Sequence, residues 1–140
     1  MKRFEVRCVI KAPPERVWAV LSDAARLAAD GRLGITRLDG TIGPGARLKV
    51  WSEVSPGRAF ALRVSTFDPP TTMVWTGGMP LGLFTGTRRF TLTPSGADTA
   101  FHMEEAFTGP LSGLIGRSIP DLTPSFEKFA RGLRELAESR

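Results

Sequence analysis

With 140 residues, 41% of them hydrophobic and 24% charged, the chain has the composition of one globular domain spanning residues 1–140. It is large enough to bury a core without a metal or a disulfide. The one cysteine, Cys8, excludes an intramolecular disulfide and fits a reducing compartment, and no apolar run is long enough for a signal peptide or a membrane span, so a soluble cytoplasmic protein is expected. The net charge of +5 comes from basic residues, mostly Arg, spread without a run or repeat, which argues against a nucleic-acid partner.

Residues 3–11 alternate, with Phe4, Val6, Cys8 and Ile10 on one side and Glu5, Arg7, Val9 and Lys11 on the other, the pattern of a half-buried strand. Cys8 on the apolar side reads as a small core residue, with no adjacent base to make it a nucleophile. Ala12-Pro13-Pro14-Glu15 starts a helix that buries Val17, Trp18 and Leu21. Ser22-Asp23 caps a second short helix from Ala24 to about Ala29. Turn signals then recur at strand-length spacing, predicting strands over 33–39, 46–54, 58–67, 71–76, 83–92 and 99–108. The expected breaks are Gly43-Pro44-Gly45, Ser55-Pro56-Gly57, Asp68-Pro69-Pro70, Gly77-Gly78-Met79-Pro80 and a 94–98 hairpin loop.

Beyond Gly109-Pro110, Leu111, Leu114, Ile115, Ile119, Leu122, Phe126, Phe129, Leu133 and Leu136 are apolar. From Ile115 onward they step by threes and fours, one stripe of a helix. Pro120 and Pro124 lie inside it; each lacks an N–H and crowds the carbonyl four residues back. Two pieces are therefore predicted, a short one near Leu111–Arg117 and a longer one from Asp121 or Pro124 to Glu138. The fold class is α+β: a seven-stranded curved antiparallel sheet around a long C-terminal helix, with two short helices between the first and second strands.

This order of elements, with Ala12-Pro13-Pro14-Glu15-Arg16-Val17-Trp18-Ala19-Val20-Leu21-Ser22-Asp23, resembles the START/Bet v 1-like helix-grip superfamily (SRPBCC), and within it the bacterial polyketide cyclase/dehydrase-like members. The segments 82–92 and 104–109 resemble the last two strands of those proteins. The stretch Ala28-Ala29-Asp30-Gly31-Arg32 departs from the aromatic-rich segment common at that point in relatives. The resemblance implies a deep cavity between the long helix and the sheet that holds a hydrophobic or amphipathic small molecule; members include carriers, aromatase/cyclases and co-chaperone-like proteins.

If position 94 stands opposite 99, then 92 meets 101, 90 meets 103 and 88 meets 105. Arg88 and Glu105 then become cross-strand neighbours on the apolar face with Phe84, Phe90, Phe101 and Met103. Three roles stay open for the pair: an ion pair that sets strand register, a polar anchor for a ligand, and an acid–base couple in which Glu105 is the base. Met73, Trp75, Ile119 and Phe126 complete the candidate ligand-binding set, and Arg88 and Glu105 are the catalytic candidates. Met79, between Gly77-Gly78 and Gly82, belongs either to a lid or to an ordinary loop.

His102 has the parity of the outer face, where a catalytic role is disfavoured. One Cys and one His supply no metal-ligand set, and no cofactor is implied. The convex face carries Arg7, Lys11, Arg47, Lys49, Arg63 and Arg89, diluted by Glu5, Glu53 and Glu104, with Trp51 among them. Binding of a hydrophobic or aromatic small molecule is thus the first expectation. An aromatase/cyclase and a protein-partner module on the convex face are the alternatives, and a homodimer is compatible with the sequence.

Overall fold

The computed structural model describes residues 2–139. Seven antiparallel strands form one curved sheet in the order β1-β7-β6-β5-β4-β3-β2, so the first strand closes onto the last. The strands are β1 (Lys2–Ile10), β2 (Ile35–Asp39), β3 (Arg47–Ser52), β4 (Ser55–Asp68), β5 (Thr72–Gly78), β6 (Thr85–Ser95) and β7 (Asp98–Thr108). Helices α1 (Pro14–Leu21) and α2 (Ala24–Leu27) lie between β1 and β2, and α3 (Ser112–Gly116) and α4 (Thr123–Glu138) end the chain. This is the expected α+β helix-grip arrangement.

Local chemistry explains most of the boundaries. Proline occupies the first turn of α1, and Asp23 caps α2 by accepting from the Arg26 N–H at 3.3 Å. Thr99, fully buried, donates its hydroxyl to the Ala12 carbonyl at 2.7 Å and so ties the β1–α1 corner to β7. The terminal helix is broken where the prolines require it: α3 stops at Gly116, and Pro124 sits in the first turn of α4. Asp121 accepts from the Thr123 N–H at 3.0 Å at the start of α4.

The buried stripe of α4 is Phe126, Phe129, Ala130, Leu133 and Ala137, laid against the concave face. Gly132 interrupts it for a packing reason. A Cβ there would lie 2.7 Å from the Arg32 carbonyl oxygen and 2.9 Å from Leu33 Cγ, so only glycine lets the α2–β2 connection lie against the helix.

Several boundaries differ from those expected. The β3–β4 turn is Glu53-Val54, with Ser52 paired to Ser55, rather than Ser55-Pro56-Gly57. Leu33 precedes β2 as a buried residue of the connection, and α2 ends at Leu27. Gly77 and Gly78 extend β5 instead of interrupting it, paired to Gly86 and Thr85, and β6 starts at Thr85 rather than 83. The β6–β7 turn shrinks to Gly96-Ala97 between the pair Ser95 and Asp98. Leu114, an apolar residue just ahead of the stripe that begins at Ile115, is 69% exposed.

A bulge in β4 matters more than these shifts. Val64 pairs with Trp75 but Thr66 pairs with Val74, so Ser65 is the extra residue. Strict alternation would send Phe67 outward with Ala61 and Arg63. The bulge returns it to the core, where its ring meets Trp18 at 5.3 Å.

Candidate functional site

The β6–β7 hairpin has the register counted from its turn: Leu92 faces Phe101, Phe90 faces Met103, and Arg88 faces Glu105. Trp75 stands beside Arg88 on β5 and Phe4 beside Glu105 on β1. Four strands thus place Trp75, Arg88, Glu105 and Phe4 in one row on the concave face, beneath α4. Arg88 Nε donates to Glu105 Oε1 at 2.7 Å, and the side chains are 24% and 15% exposed. The guanidinium carbon lies 4.8 Å from the ring centre of Phe126, a cation–π contact from the helix. Among the described residues no other donor of Arg88 is hydrogen-bonded. Trp75 is 2% exposed, and its indole Nε1 is buried without a hydrogen-bond partner among the described residues.

The next row outward is Gly77, Gly86, Phe107 and Lys2. Two adjacent glycines leave the sheet bare there, and Phe107 leans over Gly86 while stacking on Phe84 at 5.6 Å. Phe4 bridges Phe107 and Phe126, at 6.4 and 6.1 Å. Lys2 Nζ donates to the carbonyls of Gly116 and Ile119 at 3.2 and 2.9 Å. This anchors the α3–α4 break, with half-buried Ile119, over the end of the sheet. The 79–84 loop flanks the same end. Leu81 is 96% exposed with a left-handed backbone (φ 62°), and Met79 is exposed but closes the ladder through its N–H to the Phe84 carbonyl.

The candidate residues therefore divide. Arg88 and Glu105 pair directly at this partly open end, and Phe84 and half-buried Ile119 border the adjacent row through Phe107 and Lys2. Met73, Trp75, Phe90, Phe101, Met103 and Phe126 are each at most 2% exposed and pack deeper, with Trp75 on Phe90 at 4.9 Å and Phe90 on Phe129 at 5.7 Å. A water-sized sphere has almost no room against those six, so here they meet one another rather than the wall of an open cavity. Two open grooves mark the surface elsewhere. One of about 640 Å³ is lined by Asp30, Arg32, Lys128, Arg131 and Glu135; another of about 730 Å³ runs over β2 to β5.

On the outer face His102 is half-buried, its Nε2 3.6 Å from Glu5 Oε2 and without a hydrogen-bond partner among the described residues. The β1–β7 register sets Glu5 opposite Glu104, and donor atoms of Glu5, His102 and Glu104 all lie within 4.8 Å of one another. The pairing of the first strand with the last creates this cluster, so no sequence spacing announces it. Arg3 is ion-paired to both glutamates and Arg7 lies beside Glu5, so their charge is already compensated. Trp51 is covered by the Arg37 guanidinium at 4.8 Å. No described helix is long and apolar enough to cross a membrane.

Solved structures share the fold at low identity. Protein MLL2253 of Mesorhizobium loti superposes with a TM-score of 0.74 at 20% identity over 96% of both chains. The truncated norcoclaurine synthase of Thalictrum flavum superposes at 0.70 and 16% identity, over 99% of this chain and 94% of that one. DynU16, a protein of the dynemicin biosynthetic locus, gives 0.72 at 19% identity over 99% of this chain and 48% of its own. No curated protein matches the sequence. The sequence family described as polyketide cyclase / dehydrase and lipid transport matches residues 1–138, and with that match over nearly its whole length the chain belongs to this family.

Proposed function

We propose that the protein binds a hydrophobic or aromatic small molecule, lipid-like or polyketide-like, between the concave face and α4, with a polar acceptor group of the ligand held by Arg88. One observation carries this reading. A guanidinium stands on the apolar side of the sheet with a single donor engaged, next to a phenylalanine of the helix. The Arg88 side chain is 24% exposed, so its remaining donors face the partly open end, where a ligand carboxylate, enolate or carbonyl oxygen can take the place of water. The orphaned indole N–H of Trp75, a cross-strand neighbour of Arg88, offers a second donor in the same row.

The ligand enters at the α3–α4 break, beside half-buried Ile119 and the stacked Phe84 and Phe107, and its apolar body separates the aromatic cluster below. Glu105 orients Arg88 through the Nε contact. This favours binding over acid–base chemistry, because the carboxylate is already engaged as the partner of the guanidinium. Family membership is compatible with either lipids or polyketides as ligand.

Native mass spectrometry of freshly purified protein, with extraction of bound small molecules, tests the proposal. A co-purifying apolar ligand is expected, retained by Glu105→Gln and lost in Arg88→Met. Repeated absence of ligand, together with a melting temperature unmoved by a panel of lipids and aromatic polyketides, overturns it. Turnover of a polyketide that is abolished by Glu105→Gln while binding persists would establish the cyclase alternative instead.

A further inference from the structure

The 730 Å³ groove over β2 to β5 has an unusual charge pattern. Arg47 and Arg63 are direct cross-strand partners, both exposed on the convex face. Like charges directly opposite one another in a sheet repel and destabilise the pair. Lys49 lies one row along, between Ala61 on β4 and Asp39 on β2. The floor is small: Ala61, Thr76 and Gly78. The groove has one acidic residue, Asp39, and both of its oxygens are held by Arg37 at 2.9 and 3.0 Å. None of Arg47, Lys49 and Arg63 forms an ion pair among the described residues.

Arg47 and Arg63, with no carboxylate opposite them, and Lys49, whose neighbour Asp39 is already engaged by Arg37, therefore surround a shallow basin floored by small residues. Elsewhere on the same face the protein sets carboxylates beside its arginines, as with Arg3 and Arg7 around Glu5 and Glu104. We propose that this groove is a second binding site, independent of the interior one, for a phosphate group carried by a small molecule. Two guanidinium forks approaching from neighbouring strands match the oxygens of a tetrahedral oxyanion, and a third cation exceeds what one carboxylate needs. Asp39 closes one end of the basin and the start of the 79–84 loop flanks the other, so the charge forms no continuous track for a polymer. The Thr76 hydroxyl, already paired with Ser65 Oγ at 2.8 Å, borders the floor as a further polar contact.

The test is titration calorimetry of the whole chain at low ionic strength with inorganic pyrophosphate as the probe. Saturable binding is expected, weakening as salt rises. Arg47→Ala and Arg63→Ala are each expected to weaken it about tenfold or more, since each removes charge-assisted hydrogen bonds. Both variants should melt no lower than the parent, because relieving the Arg47–Arg63 repulsion favours the fold; loss of binding is then separable from loss of structure. Arg7→Ala, on the same face but outside the groove, should bind as the parent does.

Vesicles of phosphatidylcholine with and without phosphatidic acid separate the two sources of such a phosphate. Co-sedimentation only with phosphatidic acid, abolished by Arg63→Ala, assigns a lipid headgroup; pyrophosphate binding without co-sedimentation assigns a soluble phosphate ester. No heat up to millimolar pyrophosphate, or an equal loss in Arg7→Ala, overturns the proposal by reducing the effect to net charge. Neither result bears on the interior ligand, whose test reads Arg88.

Discussion

Arg88 and Glu105 are the residues at which structure and function compete most directly. Each is mostly buried, and each is the other's hydrogen-bond partner, so truncating one strands the other in apolar surroundings. Glu105→Ala is expected to cost about 1–3 kcal/mol in urea unfolding. The double variant Arg88→Met/Glu105→Leu should recover most of it, because an ion pair replaced by apolar groups of similar size is often neutral. A double-mutant cycle with no coupling would show that the pair does not act as a unit.

Cys8 behaves as the alternation implied: it packs against the core, and burial pushes its thiol pKa above the ordinary value. Arg134 pulls the other way and Glu138 adds to the rise. Its thiolate is therefore scarce at neutral pH. Alkylation by iodoacetamide should be slow in native protein and rapid in urea; equal rates would contradict this burial.

Among the elements, α4 and the break before it are the most informative. Gly132 is a poor helix residue in isolation, and alanine would gain about 1 kcal/mol of helix propensity. The Arg32 carbonyl lies too close for a Cβ, so Gly132→Ala should destabilise by about 1–3 kcal/mol in chemical denaturation, opposite in sign to the propensity effect. At the start of the same helix, hydrogen bonds from Thr123 hold the Asp121 carboxyl below its ordinary pKa, with a smaller contribution from Lys2. A carboxyl depressed in the folded state adds stability above its unfolded pKa, and that contribution is lost as pH falls through the lower folded value. Asp121→Asn should therefore lower the melting temperature at neutral pH and leave it nearly unchanged in strong acid, as read by circular dichroism melts.

The two helix pieces were legible because the proline constraint is local. The β4 bulge was not, because a period of two continues unbroken through Ser65 and only the Trp75 and Val74 partners show the slip. The β3–β4 turn was misplaced for a related reason. Ser55-Pro56-Gly57 has turn composition, yet pairing of Ser52 with Ser55 draws the reversal to Glu53-Val54.

At the scale of the molecule, stability is unevenly spread. The rows of β1, β6 and β7 carry fully buried Ile10, Phe90, Met103 and Thr99 beneath α4, whereas the other end carries exposed Leu81 and Leu114 and the α3–α4 break. Hydrogen exchange should find the slowest amides in β6 and β7 and the fastest at 80–83 and 117–122. Uniform protection would argue against an entrance at that end.

The order of elements, the inward face of nearly every strand and the Arg88–Glu105 pairing were readable from the chain, since side-chain alternation and a short hairpin are local properties that fix orientation and register. Three features were decided only by tertiary packing. Closure of β1 onto β7 gathered Glu5, His102 and Glu104; sheet curvature and α4 brought Trp75, Phe90 and Phe129 into successive contact; and the β3–β4 register set Arg47 against Arg63. Each joins residues through the placement of separate elements, and how closely those elements approach depends on side-chain volumes across the whole core, which no single stretch of sequence contains.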